Sequence, residues 1–231
     1  MIPEPSFASV CGRCTIYTAD WRDLPAHVYE QAAGVLCDPP YGDDHNTDSS
    51  RFVDSPTGKG VTGPAHLRKT HPKVQGDEEP FDPAPLLDIG SQQVLWGMNR
   101  YSSRLPVGSL LVWDKRPSTG RSLLSDGEAA WWSKGRGVYI FEHCWHGFSR
   151  ASENSQHYHP TQKPVALMRW ALLKMKLPTG SVVFDPYMGS GPVGVACATL
   201  GLSYVGCELV PEYVEIARSR IEPVLAQGSL F

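Results

Sequence analysis

A chain of 231 residues with 41% hydrophobic content is long enough to bury one substantial core, and it reads as a single α/β domain with a long insertion. No apolar stretch approaches the roughly 20 residues of a membrane-spanning helix, and the opening MIPEPSFASV lacks the basic and apolar regions of a secretory signal, so no membrane partner is expected. The formal net charge of −3 excludes a chain that is basic throughout; any polyanionic partner has to be met by local clusters of Lys and Arg.

In chain order, Cys11 and Cys14 form the one close cysteine pair. No second Cys pair or spaced His pair completes four zinc ligands, so no metal site is expected, and the remaining thiols read as buried and reduced. A first strand is expected over Cys14–Thr18, ahead of Asp20, and a second over Gly34–Cys37, running into Asp38-Pro39-Pro40-Tyr41. Residues 42–80 then break the rhythm. They are polar and rich in Gly, Pro, His and Ser, with no apolar period, as expected of a mobile or target-contacting insertion. Within them Arg68, Lys69 and Lys73 make a basic cluster.

Further strands are expected over Gln93–Trp96, Ser109–Trp113 and Val138–Cys144. A second basic stretch runs through this part of the chain and includes Lys115, Arg116 and Arg121, with acidic neighbours such as Asp126 and Glu128. The run Gly137–Trp145, just before Gly147, is expected as an antiparallel edge hairpin. After His159-Pro160-Thr161-Gln162-Lys163 a helix is predicted over Pro164–Lys176, then a strand over Ser181–Phe184, a helix over Pro192–Leu200, a strand over Ser203–Cys207 and a helix over Pro211–Leu225. This alternation predicts a Rossmann-like, doubly wound α/β fold with a mostly parallel, seven-stranded sheet.

Two strand ends carry chemistry, because ligands of open α/β sheets sit at the carboxyl ends of strands. At the first, two prolines after Asp38 fix φ and remove two backbone donors, which leaves a stiff turn presenting carbonyls. That suits an amine substrate: if the Asp38 carboxylate and the Pro39 carbonyl each accept one N–H, the nitrogen lone pair is turned outward for attack. Tyr41 offers a ring for stacking a base, worth roughly 1–3 kcal/mol. At the second end, Asp185-Pro186-Tyr187-Met188-Gly189-Ser190-Gly191 leads from a strand into a helix. Glycines there allow backbone amides to approach a ligand at a helix N-terminus. The next strand ends in Glu208, where a nucleotide-binding unit places the acid that takes ribose hydroxyls. Gly189, Gly191 and Gly194 also fit a dinucleotide fingerprint in spacing, so a dinucleotide reading stays open at this point.

Taken together, Asp38-Pro-Pro-Tyr41, His159-Pro-Thr-Gln-Lys-Pro164 and Asp185-Pro-Tyr-Met-Gly-Ser-Gly191 resemble the catalytic motif, the motif before the first strand and the cofactor loop of amino-methylating DNA methyltransferases. The order of the blocks is similar to the β-type permutation of that family. The resemblance implies an AdoMet-dependent methyltransferase fold, S-adenosyl-L-methionine as cofactor, DNA as partner, cytoplasmic residence in a bacterial or phage-infected cell, and a homodimer as one possible assembly. It also implies roles: Asp38, Pro39, Pro40 and Tyr41 in catalysis; Asp185, Tyr187, Gly189, Ser190 and Gly191 around the methionine part of the cofactor; Glu208 on the ribose; Asp20 near the adenine; Thr161 and Lys163 near the methionine carboxylate; Arg68, Lys69, Lys73, Arg116 and Arg121 on DNA.

Tyr187 and Pro192 depart from the family, which usually has Phe and Thr at those places. Only Gly147–Tyr158 lies where relatives of this order often carry a target-recognition region, so either residues 42–80 take over recognition or specificity is low. Asp38 favours adenine N6 over cytosine N4, whose enzymes more often have Ser there. From another class, a catalytically silent nucleotide-binding module is the rival, and a dinucleotide oxidoreductase ranks last because it leaves Asp38–Tyr41 and Pro160–Pro164 without a purpose.

Overall fold

The computed structural model describes residues 4–42, 78–117, 125–146, 149–153, 158 and 162–227. The chain divides into two compact units, one of residues 1–39 and 82–231 and one of residues 40–81. In the second unit, Gly42 has a φ of +82°, and a Cβ there would lie 2.8 Å from the Glu79 carbonyl oxygen, so glycine is required where that unit's two ends approach.

The first unit is built on β1 (Phe7–Ala8), β2 (Cys14–Thr18), β3 (Gly34–Cys37), β4 (Gln92–Trp96), β5 (Ser109–Asp114), β6 (Gly127–Trp132), β7 (Val138–Glu142), β8 (Trp145–His146), β9 (Ser149–Arg150), β10 (Val182–Asp185) and β11 (Ser203–Glu208). Its helices are α1 (Ala84–Leu87), α2 (Val165–Met175), α3 (Pro192–Thr199) and α4 (Pro211–Gln227). Nine strands form one sheet in the order β1-β2-β11-β10-β3-β4-β6-β5-β7. Seven of them share a direction; β1 and β6 oppose their neighbours. All seven predicted strands are present.

The antiparallel element differs from the expected edge hairpin. The run from Gly137 splits: β7 is an edge strand paired parallel with β5, while β8 and β9 form a separate antiparallel ladder. The reversed strand of the main sheet is instead β6, inserted between β4 and β5. Its sequence, Gly-Glu-Ala-Ala-Trp-Trp, has no β-branched residue and weak intrinsic preference for a strand. Neighbours on both sides supply what propensity does not: Trp131 Nε1 donates to the Pro106 carbonyl, and Trp132 Nε1 donates to Gln92 Oε1.

Strand period places the faces. Val183 and Leu36 join the core formed with α2, α3 and α4. Phe184, one residue on, packs on the other face against Trp21 and Tyr29, whose ring centroids lie 6.1 and 5.1 Å away. The fully buried Val35, Leu36 and Cys37 of β3 have the unbroken apolar run of a parallel strand covered on both faces.

The connections set the position of a crevice. From β10 the chain passes through α3 to β11 on one side, and from β3 it passes to β4 on the other. The carboxyl ends of the adjacent strands β10 and β3 therefore form a topological switch point, where open sheets part to receive ligands.

Candidate active site at the carboxyl ends of three strands

Three carboxylates stand in a row at this crevice. Asp185 closes β10 and pairs in register with Gly206 of β11; Glu208 lies two residues further along β11. On the other side Phe184 pairs with Val35, so Asp38 lies two residues past the partner of Asp185. Steps of two keep side chains on one face, and here it is the face carrying α2, α3 and α4. With strands about 4.8 Å apart, Asp38 and Glu208 are about 10 Å from each other across the row.

The turn between them is built by its glycines. Gly189 and Gly191 have φ of +52° and +75°, a region that favours glycine, and Gly191 caps α3 ahead of Pro192 at its first turn. A Cβ on Gly191 would lie 2.7 Å from the Ala217 Cβ, and one on Gly194 would lie 2.4 Å from Ile221 Cδ1. The three glycines of the fingerprint spacing thus serve turn geometry and the close seating of α3 on α4.

Glu208 fastens this turn to β11. Its Oε2 accepts the Gly189 N–H at 2.9 Å, and its Oε1 accepts the N–H groups of Leu209 and Val210, both at 2.9 Å. A carboxylate has about four acceptor positions, so room remains for a hydroxyl. Burial raises its pKa, against the opposing pull of those amides. Asp185 is only 1% exposed and accepts from the Tyr187 N–H and the Tyr204 hydroxyl, each at 3.2 Å. Burial pushes its pKa up to about 8, with Asp38 and Glu208 adding to the rise. Ser190 is buried, and Arg220 of α4 donates to its carbonyl and hydroxyl.

Asp38 meets a cation that the chain delivers from 125 residues away. The Lys163 ammonium lies 2.5 Å from Asp38 Oδ2 and 2.9 Å from Glu128 Oε2, with a side chain only 6% exposed. Glu128 in turn pairs with Lys115 through its other oxygen. Burial would raise the Glu128 carboxyl, but Lys163 and Lys115 hold it well below the usual carboxylate range. Burial would likewise discharge Lys163, and Asp38 with Glu128 reverses that, raising its pKa.

Other predicted residues have varied placements. Asp20 caps a 3-10 turn over Trp21–Asp23 and is gripped by Arg22, whose hydrogen bonds lower its pKa. Tyr187 accepts the Trp21 indole N–H at 3.2 Å; its hydroxyl therefore has a task that phenylalanine would leave undone. Arg116 turns toward Asp126, 3.9 Å from Nε to Oδ1, with its side chain 17% exposed. With Lys115 on Glu128, this part of the second basic stretch is neutralised from within. Pro39 is buried at the end of the first unit, and Pro40 and Tyr41, both half-buried, open the second. Arg68, Lys69, Lys73, Arg121 and Thr161 lie outside the described residues.

Sequence reasoning missed Lys115, Glu128, Glu153 and Arg220 as site components. Glu153 accepts from Arg220 at 2.6 Å, from Gln162 at 3.2 Å and from the Val165 N–H at 3.0 Å. It joins the glycine turn, through Arg220, to the segment bearing Lys163. No spacing signal links these residues; the alternating charge of Lys115 and Glu128 around two strands was visible only as a solvated face.

Residues 109–219 match the model of the N6_N4_Mtase family, described as DNA methylase. The chain is 41% identical over 64 residues to the Type II methyltransferase M2.DpnII of Streptococcus pneumoniae, a match spanning 28% of this chain and 24% of that protein. Among solved structures, the M1.HpyAVI-SAM complex is similar with a TM-score of 0.53 and 23% identity, covering 90% of this chain and 99% of that one. A structure described as PvuII DNA methyltransferase (cytosine-N4-specific) is similar with a TM-score of 0.58 and 14% identity, covering 97% and 95%. Both likenesses concern the fold.

Proposed function

We propose that this chain, whose residues 109–219 match the N6/N4 DNA methylase family, methylates an exocyclic amino group of a base in DNA, adenine N6 ahead of cytosine N4, using S-adenosyl-L-methionine. The observation that carries the proposal is the row of Asp38, Asp185 and Glu208 at the switch point, with a glycine turn between its outer members. It offers an amine-orienting acid at one end and a hydroxyl-binding acid at the other.

The residues fit the cofactor. Glu208 retains acceptor capacity for a ribose hydroxyl, and the Gly189–Gly191 turn opens onto the N-terminus of α3. When bound, S-adenosyl-L-methionine supplies an electrophilic methyl group on a positively charged sulfur. Asp38, held in place by Lys163, accepts one amino N–H of the base and the Pro39 carbonyl accepts the other. This frees the nitrogen lone pair for in-line attack; the N–C bond forms as the S–C bond breaks. The surplus proton then leaves the alkylated nitrogen through Asp38 or directly to water. In this reading Tyr41 stacks the extruded base and Arg68, Lys69, Lys73 and Arg121 meet phosphates, whereas Arg116 does so only after giving up Asp126.

The preference for adenine rests on Asp38 itself, since serine is the more frequent residue at that place in cytosine-N4 enzymes. The cytosine-N4 reading is the second, since the matched family takes in both kinds of amino group. One experiment separates them. Unmethylated DNA is treated with the protein and methyl-labelled S-adenosyl-L-methionine, then digested to nucleosides. N6-methyladenine is expected; N4-methylcytosine would transfer the assignment to the second reading, and no label in DNA would end both. Asp38→Ala should abolish labelling and leave cofactor affinity within about threefold, because uniform binding and chemistry are separable.

A further inference from the structure

The charges behind Asp38 form a chain of alternating sign: Lys115, Glu128, Lys163, Asp38. They come from four places in the sequence: the end of β5, the body of β6, the segment before α2 and the end of β3. Glu128 belongs to the reversed strand that intrudes between β4 and β5. Its backbone pairs with Trp113 in the β5 ladder, while its carboxylate faces the two lysines, one on each oxygen.

The consequence for Asp38 follows from Coulomb's law in a partly dry site. A lysine devoted to one carboxylate neutralises it and weakens it as a hydrogen-bond acceptor. A lysine shared between two carboxylates orients each and neutralises neither. Lys163 is shared, at 2.5 Å from Asp38 and 2.9 Å from Glu128. Lys115, on the far oxygen of Glu128, limits how strongly Glu128 draws Lys163 away.

We propose that Glu128 is a positioning residue of the methyl-transfer site, dividing the hold of Lys163 between itself and Asp38 so that Asp38 stays both oriented and strongly accepting toward the base amine. The proposal rests on the reading of Asp38 as the amine-orienting acid. Lys115 tunes the division from the other side. Neither residue touches substrate; both act through Lys163.

Opposite shifts in two variants test it. Among the described residues, the titratable groups that act on Asp38 include Lys163 from the segment before α2, Asp185 from β10 and Cys37 from its own strand. Glu128→Gln removes a negative charge and leaves Lys163 to Asp38 alone, so the Asp38 titration midpoint should fall by about one pH unit. Lys115→Met strengthens the draw of Glu128 on Lys163, so that midpoint should rise. Midpoints are read by carbon NMR on protein labelled at aspartate carboxyls, with Asp38 identified by the signal lost in Asp38→Asn.

In parallel, Glu128→Gln should lower kcat on unmethylated DNA by about tenfold or more, with the KM for S-adenosyl-L-methionine little changed. Glu128→Asp, which restores the charge, should recover part of the rate. A role in stability alone would not move the two midpoints in opposite directions. If neither midpoint moves and the rate of Glu128→Gln equals that of an active wild type, the positioning role is overturned and the methyl-transfer reading stands. If the midpoints move as stated and the wild type labels no DNA, the division of charge is supported and the methyl-transfer reading falls.

Discussion

Arg220 reaches from the last helix to Ser190, donating from one nitrogen to both the backbone carbonyl at 2.7 Å and the hydroxyl at 3.0 Å, while its other terminal nitrogen meets Glu153 at 2.6 Å. One planar side chain thereby holds the turn after β10 and the segment leading into α2 in a fixed relation. Arg220→Met should leave the half-buried Glu153 without its cation and loosen both segments. Stability is expected to fall by about 2 kcal/mol, read from denaturant unfolding. Affinity for S-adenosyl-L-methionine should fall about tenfold by calorimetry, equivalent to about 1.4 kcal/mol. Arg220→Lys keeps the charge and loses the fork, so it should recover stability more than affinity.

The glycines at 191 and 194 separate conformation from packing. Gly194→Ala meets only the flexible end of Ile221 at 2.4 Å and the Tyr204 ring at 3.0 Å, so Ile221→Val in the same chain should relieve much of its loss. Gly191→Ala meets the Ala217 backbone and also has a φ of +75°, which adds about 1–2 kcal/mol of strain that no neighbour can remove. Ile221→Val should therefore rescue the first variant and leave the second unchanged. Thermal midpoints of the four proteins check this; equal rescue would show that Gly191 is a packing residue only.

Asp185 gives the molecule a definite pH signature. Burial raises its folded pKa to about 8, above the value of about 3.9 for an unfolded aspartate. The native state therefore binds the extra proton between these values. The stabilisation is fully present below about pH 4 and is lost as pH rises toward 8. Glu208, also raised by burial, adds a slope of the same sign. Glu128, held below the carboxylate range by its lysines, contributes stability that is lost only in acid. Asp185→Asn should thus gain stability relative to the wild type as pH rises from 5 to 8. A difference that stays level across that range in urea unfolding would refute the raised value.

Glu208→Gln tests the cofactor end of the row. The amide keeps one acceptor for the Gly189 N–H but opposes the Leu209 and Val210 amides with an NH2 group or, if flipped, opposes Gly189. The turn should loosen, and affinity for S-adenosyl-L-methionine should fall by tenfold or more, about 1.4 kcal/mol per decade. Methyl transfer at saturating cofactor should fall far less. Unchanged affinity by calorimetry would remove Glu208 from the ribose role.

The strands and motifs were legible because their signals are local. Gly34–Cys37, Ser181–Phe184 and Ser203–Cys207 announce themselves by unbroken apolar runs, and each runs into an acid whose place in the row follows from a period of two. The glycine turn was legible for the same reason, since positive φ and a helix start leave marks at adjacent positions.

What the sequence by itself determined, then, is seven strands of the sheet, its three main helices and the turns that follow β3 and β10: backbone periodicity and turn chemistry act over a few residues. Only the tertiary structure decided that β6 enters between β4 and β5, that Lys163 turns to Asp38 and Glu128, and that Arg220 clasps Ser190. Charge pairing acts across space and has no period. A lysine destined for burial among carboxylates looks, in the linear chain, the same as one bound for water, so its partners emerge only once the strands that carry them lie side by side.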